Sequence, residues 1–366
     1  MRRTVCILGT PIDRLNRPEA LHQIDNFVKI GGFHQVATAN TDFLVNALHD
    51  EELRSILLSA DLVTPDGMPV VWAARALRSP LPERVAGADI VPEIAALAAK
   101  HGYRIFMLGA REQVAQKAAE RLHADYPGII ICGCLSPLPD ELEQVSHDVV
   151  AAIRSVKPDI LFVAFGNPKQ EKWIHRHRAD LKDVPVCMGV GGTFDFLAGE
   201  ATRAPVWMQH RGLEWFHRLA LDPTRLWKRY NRDFWFFGLS ILRELFMMLT
   251  HRPGGSGSTS VRSAGGSADV TVIGDLVRGP IDQFYAAIDT AFDGASQVRI
   301  DLQGVVSVDG EGLGALLDLN NRARITGVAV QLTSLSPYLK RILRVNDANM
   351  PTVFPKQVTV STPNVV

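Results

Sequence analysis

The sequence predicts an α/β protein: a mainly parallel sheet with helices on both faces, followed by a second, smaller α/β unit. Three observations predict it. Short apolar runs alternate with stretches of helical spacing through residues 1–200, the pattern of strand–helix–strand crossovers. Two of the runs, 160–165 and 186–190, are continuously apolar, as strands covered on both faces are, and each closes in a glycine-containing turn full of polar groups. A Gly/Ser-rich stretch at 251–268 then separates a further set of alternating elements.

In chain order, 4–8 reads as a first strand and 19–30 as a helix. The strand at 35–39 ends in Thr38-Ala39-Asn40-Thr41-Asp42, and a helix follows through Leu44, Val45, Leu48 and Leu53. A short strand at 60–63 runs into Thr64-Pro65-Asp66-Gly67-Met68-Pro69. Arg84-Val85-Ala86-Gly87-Ala88-Asp89 opens another helix, with Asp89 placed to cap it. Strand 104–108, Gly109-Ala110-Arg111 and helix 112–124 make a strand–glycine–helix unit, followed by a strand at 129–134 and a helix at 140–156. The strand at 160–165 turns through Gly166-Asn167-Pro168-Lys169-Gln170-Glu171 into an amphipathic helix, and the strand at 186–190 closes in Gly191-Gly192-Thr193-Phe194-Asp195-Phe196. Beyond the linker, strands at 270–273, 298–302 and 328–332 alternate with helices at 281–292, 312–326 and 337–343. The expected units are a core at 1–202, a basic aromatic helical appendage at 203–250, a flexible linker at 251–268 and a second domain at 269–366.

The 366 residues are 46% hydrophobic and 21% charged, a globular composition with room for two domains. With 39 basic and 39 acidic residues the net charge is zero, which argues against nucleic acid as the main partner. Cys6, Cys132, Cys134 and Cys187 fit no zinc spacing and read as buried structural thiols in a reducing compartment. No signal peptide is expected, because Met1-Arg2-Arg3 leads directly into a strand. No apolar run reaches the roughly 20 residues of a membrane span.

Carboxyl ends of strands are where open α/β sheets bind ligands. Asp66 there is either a turn former or a base that takes a proton from an acceptor hydroxyl. Thr38 and Asn40 either close a turn or bind a sugar or diphosphate. Gly109 serves either strand-to-helix geometry or a phosphate. His175 and His177 cannot face one another on a helix. No aspartates stand two apart and no H-E-x-x-H occurs, so no metal or other cofactor is expected. Between Arg203 and Arg252, nine basic residues stand against four acidic ones, an excess of five, interleaved with Trp207, Trp215, Trp227, Phe234 and Trp235. Such a segment suits an anionic membrane surface or packs on protein.

These stretches, together with Arg203-Ala204-Pro205, Leu213-Glu214-Trp215 and Arg225-Leu226-Trp227-Lys228-Arg229-Tyr230, make residues 1 to about 240 resemble the WecG/TagA/CpsF glycosyltransferases. The resemblance implies a Rossmann-like core and an inverting transfer from a nucleotide diphosphate sugar, usually a UDP-sugar such as UDP-ManNAc, UDP-ManNAcA or UDP-GlcA. The implied acceptor is a polyprenyl-diphosphate-linked saccharide, and the implied location is cytoplasmic, peripheral at the inner face of the cell membrane. It makes Asp66 the catalytic base with Thr38 beside it, and places Gln170 near the donor. Arg218, Arg225 and Arg229 would close over the diphosphate. Asn40, Arg84, Asp89, Gly109, Asn167, Lys169, Glu171, Gly191, Gly192, Asp195 and Arg203 complete the expected substrate site. Thr224 and Lys228 stand where many members carry arginine, and lysine keeps charge but not planar bidentate geometry.

Residues 269–366 resemble a STAS domain of the anti-sigma-factor-antagonist type, through Ile300-Asp301-Leu302 and the run from Val308-Asp309-Gly310-Glu311 to Leu317. Signalling members carry a phosphorylatable serine or threonine after the aspartate; here that residue is Gly310. Glu311 reads either as a fixed charge that imitates the phosphorylated state or, in preference, as a plain surface glutamate. The domain would regulate the transferase or dock a protein partner. The competing function is a non-catalytic nucleotide-sugar sensor that reports through the STAS domain.

Overall fold

The computed structural model describes residues 2–137, 142–249 and 256–345. A hairpin comes first, β1 (Thr4–Ile7) and β2 (Thr10–Asp13), then α1 (Arg17–Ile30), β3 (His34–Ala39), α2 (Thr41–His49), α3 (Glu51–Ser59), β4 (Leu62–Pro65), α4 (Met68–Ala76) and α5 (Gly87–His101). Next are β5 (Arg104–Gly109), α6 (Glu112–Asp125), β6 (Ile130–Leu135), α7 (Leu142–Val156), β7 (Ile160–Ala164), α8 (Lys169–Arg176), β8 (Val186–Gly189) and α9 (Thr193–Leu197). The appendage is α10 (Val206–His210), α11 (Glu214–Leu221) and α12 (Pro223–Leu249). The second domain holds β9 (Gly257–Ala264), β10 (Ser267–Leu276), α13 (Ile281–Phe292), β11 (Gln297–Val308), α14 (Gly310–Thr326), β12 (Ala329–Leu335) and α15 (Pro337–Val345).

The main sheet is six-stranded in the order β4-β3-β8-β7-β5-β6, parallel throughout. Alternate residues of one strand go to opposite cores: Ile160 and Phe162 of β7 meet α1, α5 and α6, while Leu161 and Val163 meet α7 and α8. Strands buried on both faces must read as unbroken apolar runs, as β7 and β8 do. The carboxyl ends of β4, β3, β8 and β7 lie side by side and define one crevice.

Several expectations change. The helix expected through Leu53 is two helices, because Asp50 breaks it and caps α3 by accepting from the Leu53 N–H. Among the described residues the first strand does not join the main sheet; it pairs with β2. The start of α7 expected at 140 lies outside the described residues. Cys6 and Cys187 are buried, but Cys134 is exposed on β6 at the sheet's edge. The Gly/Ser-rich segment is not wholly a linker: 257–264 is β9, antiparallel to β10 over eight pairs. Its side chains bury little, so the strand is held by backbone pairing that composition does not reveal.

The STAS-like domain, ordered β12-β11-β10-β9, packs on the N-terminal hairpin. Helix α14 presents Gly310 and Gly314 to β1. A Cβ on Gly310 would stand 3.1 Å from the Cys6 carbonyl oxygen and the Ser79 hydroxyl, and one on Gly314 would collide with the Thr4 carbonyl. Two glycines one turn apart thus let a strand backbone lie directly on a helix. Asp309 caps the helix by accepting from Gly312 N–H at 2.9 Å, and the Glu311 N–H donates to Ser79 Oγ at 3.1 Å. Glu311, expected on the surface, is 2% exposed because the hairpin covers it. Cys6, Leu58 and Met247 join the core of this domain. Beside the same contact, Arg2 pairs with Asp13 within the hairpin segment at 2.6 Å, and burial pushes the Asp318 carboxyl of α14 up to about 6 with Arg2 opposing the shift.

Gly314→Leu forces β1 off α14 and costs about 1–3 kcal/mol through overpacking. Amide exchange of residues 4–13 is expected to quicken at least tenfold while β10 and β11 keep their protection; unchanged exchange in the hairpin would contradict this packing.

Candidate active site

The crevice encloses about 330 Å³, the size of a small-ligand pocket. Its floor comes from strand ends and their turns: Thr38 and Asn40 after β3, Asp66 after β4, Gly166 and Asn167 after β7, and Gly191 and Gly192 after β8. Because the sheet is parallel, helices α2, α4, α5, α8 and α9 all begin here. In α4, α5 and α8 no side chain caps the first turn; Val70, Asp89 and Gln170 N–H are taken by backbone carbonyls, which leaves those of Met68, Gly87 and Ala88 for an anion. The appendage supplies the opposite wall, with Gly212, Glu214, Trp215, Arg218, Tyr230 and Asp233. Gly212 is at φ 72°, and a Cβ there would stand 2.6 Å from Met68 Cβ, so only glycine lets the appendage close on α4.

Asp66 sits where β4 ends, its N–H held by the Ala39 carbonyl at 2.9 Å. No donor among the described residues hydrogen-bonds its carboxylate. Burial pushes that carboxyl up to about 6, opposed by Arg218 and Arg84 and reinforced by Glu214 and Asp89. Thr38 is buried beside it in the neighbouring strand, where Ala39 registers with Pro65. Asn40 spends its side-chain oxygen capping α2 through Phe43 N–H. Asn167 donates to Asp42 at 3.1 Å, and its buried Oδ1 has no partner among the described residues. The Asn167–Pro168 peptide is cis.

Of the expected site residues, Thr38, Asn40, Asp66, Arg84, Asn167, Gln170, Gly191, Gly192 and Arg218 line the crevice. The others do not. Asp89 does not cap α5, whose N-cap is Ala86; it pairs with Arg84 at 2.6 Å and Arg203 at 2.7 Å. Arg203 is therefore a strut between core and appendage. Gly109, at φ 99°, exists for close packing, since a Cβ would stand 2.9 Å from the Ala164 backbone. Lys169 is exposed on α8. Glu171 is buried beneath the floor. Asp195 lies off the wall in α9, where a Cβ on Gly192 would stand 3.5 Å from its Oδ2. The side chains of Arg225 and Arg229 lie outside the described residues.

Glu214 was not expected. It binds Arg84 and Arg218 at 2.9 Å each and approaches Arg203 at 3.9 Å. Burial opposes its charge, yet Arg218, Arg84 and Arg203 hold its carboxyl below the ordinary range. The arginines also cover Phe196, Arg218 at 4.9 Å and Arg203 at 5.9 Å from the ring centre. One of only four acids inside a basic aromatic segment, within the Leu213-Glu214-Trp215 stretch, was the available signal. Arg232 adds a second tie, to Asp42 at 2.9 Å.

A sequence profile described as "Glycosyl transferase WecG/TagA/CpsF family" matches residues 5–250. The chain belongs to the WecG/TagA/CpsF glycosyltransferase family. A profile described as "Mlab, STAS domain" matches residues 259–352, which includes most of β9. A Bacillus subtilis relative named N-acetylglucosaminyldiphosphoundecaprenol N-acetyl-beta-D-mannosaminyltransferase is 37% identical over 208 residues, 57% of this chain and 77% of its own length. A Staphylococcus aureus relative of the same name is 31% identical over 230 residues, 62% of this chain and 87% of its own. Among solved structures, an anti-sigma factor antagonist from Mycobacterium paratuberculosis aligns at 20% identity over 30% of this chain and 90% of its own, with a TM-score of 0.24. As a glycosyltransferase of this family, the chain has its crevice where the fold places ligands.

Glu214→Ala leaves Arg84, Arg203 and Arg218 facing one another without their shared counter-charge. For a partly exposed network this is expected to cost about 1–3 kcal/mol and to speed proteolysis within 203–222. Urea unfolding and limited trypsin digestion measure both, and wild-type values in each would remove Glu214 as the link between core and appendage.

Proposed function

We propose that this glycosyltransferase moves a sugar from a UDP-sugar to a polyprenyl-diphosphate-linked saccharide with inversion, and that Asp66 is its base. The observation that carries the reading is Asp66 itself: a carboxyl raised to about 6 on the floor of the crevice, within the influence of Arg84 and Arg218. A base with a pKa near the working pH is the efficient kind. The acceptor class rests on the names of the relatives.

In the step proposed, an acceptor hydroxyl oxygen attacks the anomeric carbon and its proton passes to Asp66. The bond from that carbon to the β-phosphate oxygen breaks, and its electron pair leaves on UDP. The charge developing on the diphosphate falls to Arg218, Arg84 and the uncapped starts of α4 and α5. The reaction is read as metal-independent, with these groups in the place a divalent cation would take.

The acceptor's lipid fits the outer side of the appendage. Trp227, Phe234, Leu242 and Phe246 are 60%, 71%, 62% and 65% exposed, and a basic, aromatic helical surface binds the headgroup region of anionic bilayers. No helix among the described residues is long and apolar enough to cross a membrane. The proposed location, peripheral at the cytoplasmic face, rests on that exposed surface and on the lipid-linked acceptor in the relatives' names. The STAS domain is read as a brace in cis. It holds the hairpin through α14, and Asp13 of that hairpin accepts from the Val63 N–H of β4 at 2.6 Å, three residues before Asp66. A protein partner would take a face other than the covered one.

The test is UDP release with a panel of UDP-sugars and a short-chain polyprenyl-diphosphate saccharide in vesicles. Release with one donor, dependent on acceptor, faster in anionic than in zwitterionic vesicles and retained in EDTA, is expected. Asp66→Asn is expected to lower the rate about 10²–10⁴-fold with donor binding retained. Donor binding without release across the acceptor panel would favour a sensor, and near-normal turnover by Asp66→Asn would remove it as base.

A further inference from the structure

In the crevice floor and just beneath it lies a buried polar cluster that the transfer step does not use. Gln170 and Glu171 are adjacent in the first turn of α8, each 1% exposed. Gln170 Oε1 accepts two backbone bonds, from Gly166 N–H at 3.1 Å and from Gly191 N–H at 3.0 Å. These are the turns after β7 and β8, and both line the crevice. One amide oxygen thus joins the two loops. Its Nε2 donates to Glu171 Oε1 at 2.8 Å. The room for this pair comes from Gly189, the last residue of β8: a Cβ there would overlap both Gln170 Nε2 and Glu171 Oε1. From the third strand, Gln35 Nε2 donates to the Glu171 carbonyl at 3.1 Å.

An amide side chain can be turned over, exchanging its oxygen and nitrogen. If Gln170 turned over, NH₂ would face two N–H groups and both loop bonds would be lost. An unprotonated Glu171 Oε1 opposes this, because only the observed orientation puts a donor opposite it. Glu171 Oε2 is buried with no partner among the described residues, an environment that suits a neutral acid far better than a carboxylate. Consistently, burial pushes its carboxyl up to about 8, opposed by the bond from Gln170.

We infer that Glu171 is a positioning residue: by accepting from Gln170 it fixes the amide that locks the Gly166 and Gly191 turns in the geometry that receives the donor. It touches no substrate. The inference rests on the proposed glycosyl transfer, and it assigns Gln170 a role in shaping the site rather than in direct contact with the sugar.

The experiment is donor KM and kcat for the full chain, measured by UDP release at saturating acceptor. Glu171→Gln keeps a neutral acceptor at the same reach and is expected within about threefold of wild type. Glu171→Leu keeps the bulk and loses the acceptor. It is expected to raise donor KM about 10- to 100-fold, since small displacements of positioning groups have effects of that order, with kcat changing less. Should Glu171→Leu not fold, Glu171→Asp keeps the acid but withdraws it by one methylene, and it is read in the same assay with the same direction. Wild-type donor KM in Glu171→Asp and in any folded Glu171→Leu overturns the inference, as does a Glu171→Gln variant as impaired as they are. Absence of turnover by wild type with every donor overturns the transfer reading, and this inference with it.

Discussion

The site depends on one electrostatic constraint: a carboxylate withdrawn from water at the end of a parallel strand. Isolated, Asp66 would be neutral over much of the range in which a base must be charged. Arg218 and Arg84 draw it back toward the charged form. Those arginines need counter-charges of their own, and Glu214 and Asp89 supply them. The resulting balance is set by residues from three places in the chain, so the base works only when the appendage lies on the core. Removal of any single charge changes the others, because they share one region of low polarisability.

The same logic of support extends outward. The hairpin is a small two-stranded element that would be marginal by itself. It is covered on one side by α14, where Gly310 and Gly314 let its backbone approach, and it grips β4 through Asp13. The STAS domain is thereby part of the transferase's packing as well as a separate fold. Beneath the floor, Gly189, Gln170 and Glu171 act over a shorter range, tying adjacent strand ends with a single amide.

Much of this was legible in the sequence. The runs at 160–165 and 186–190 could hardly be anything but doubly covered strands, and parallel strands fix where the crevice must be. Seven of the nine expected site residues that line it do so for that reason, while Arg84 and Arg218 reach it from the segment before α5 and from the appendage. What the sequence hid was pairing at a distance. Asp89 has the residue type of a helix cap, yet its carboxylate belongs to Arg84 and Arg203, over a hundred positions away in the second case. Glu311 reads as surface until a strand from the other end of the chain covers it. β9 buries few side chains, so no hydrophobic pattern announced it. Glu171 stands in a motif turn like a ligand residue, but the missing Cβ of Gly189 opens a place for it below the floor.

The most direct test of the account is the pH dependence of kcat/KM for the acceptor, in wild type and in Arg218→Met. The account predicts a limb that rises with pH about a midpoint near 6 as Asp66 loses its proton. Because Arg218 favours the charged carboxylate, its removal should raise that midpoint. A profile flat from pH 5 to 8, or a limb that does not move when Arg218 is removed, would contradict the claim that a desolvated Asp66 held between these arginines is the base.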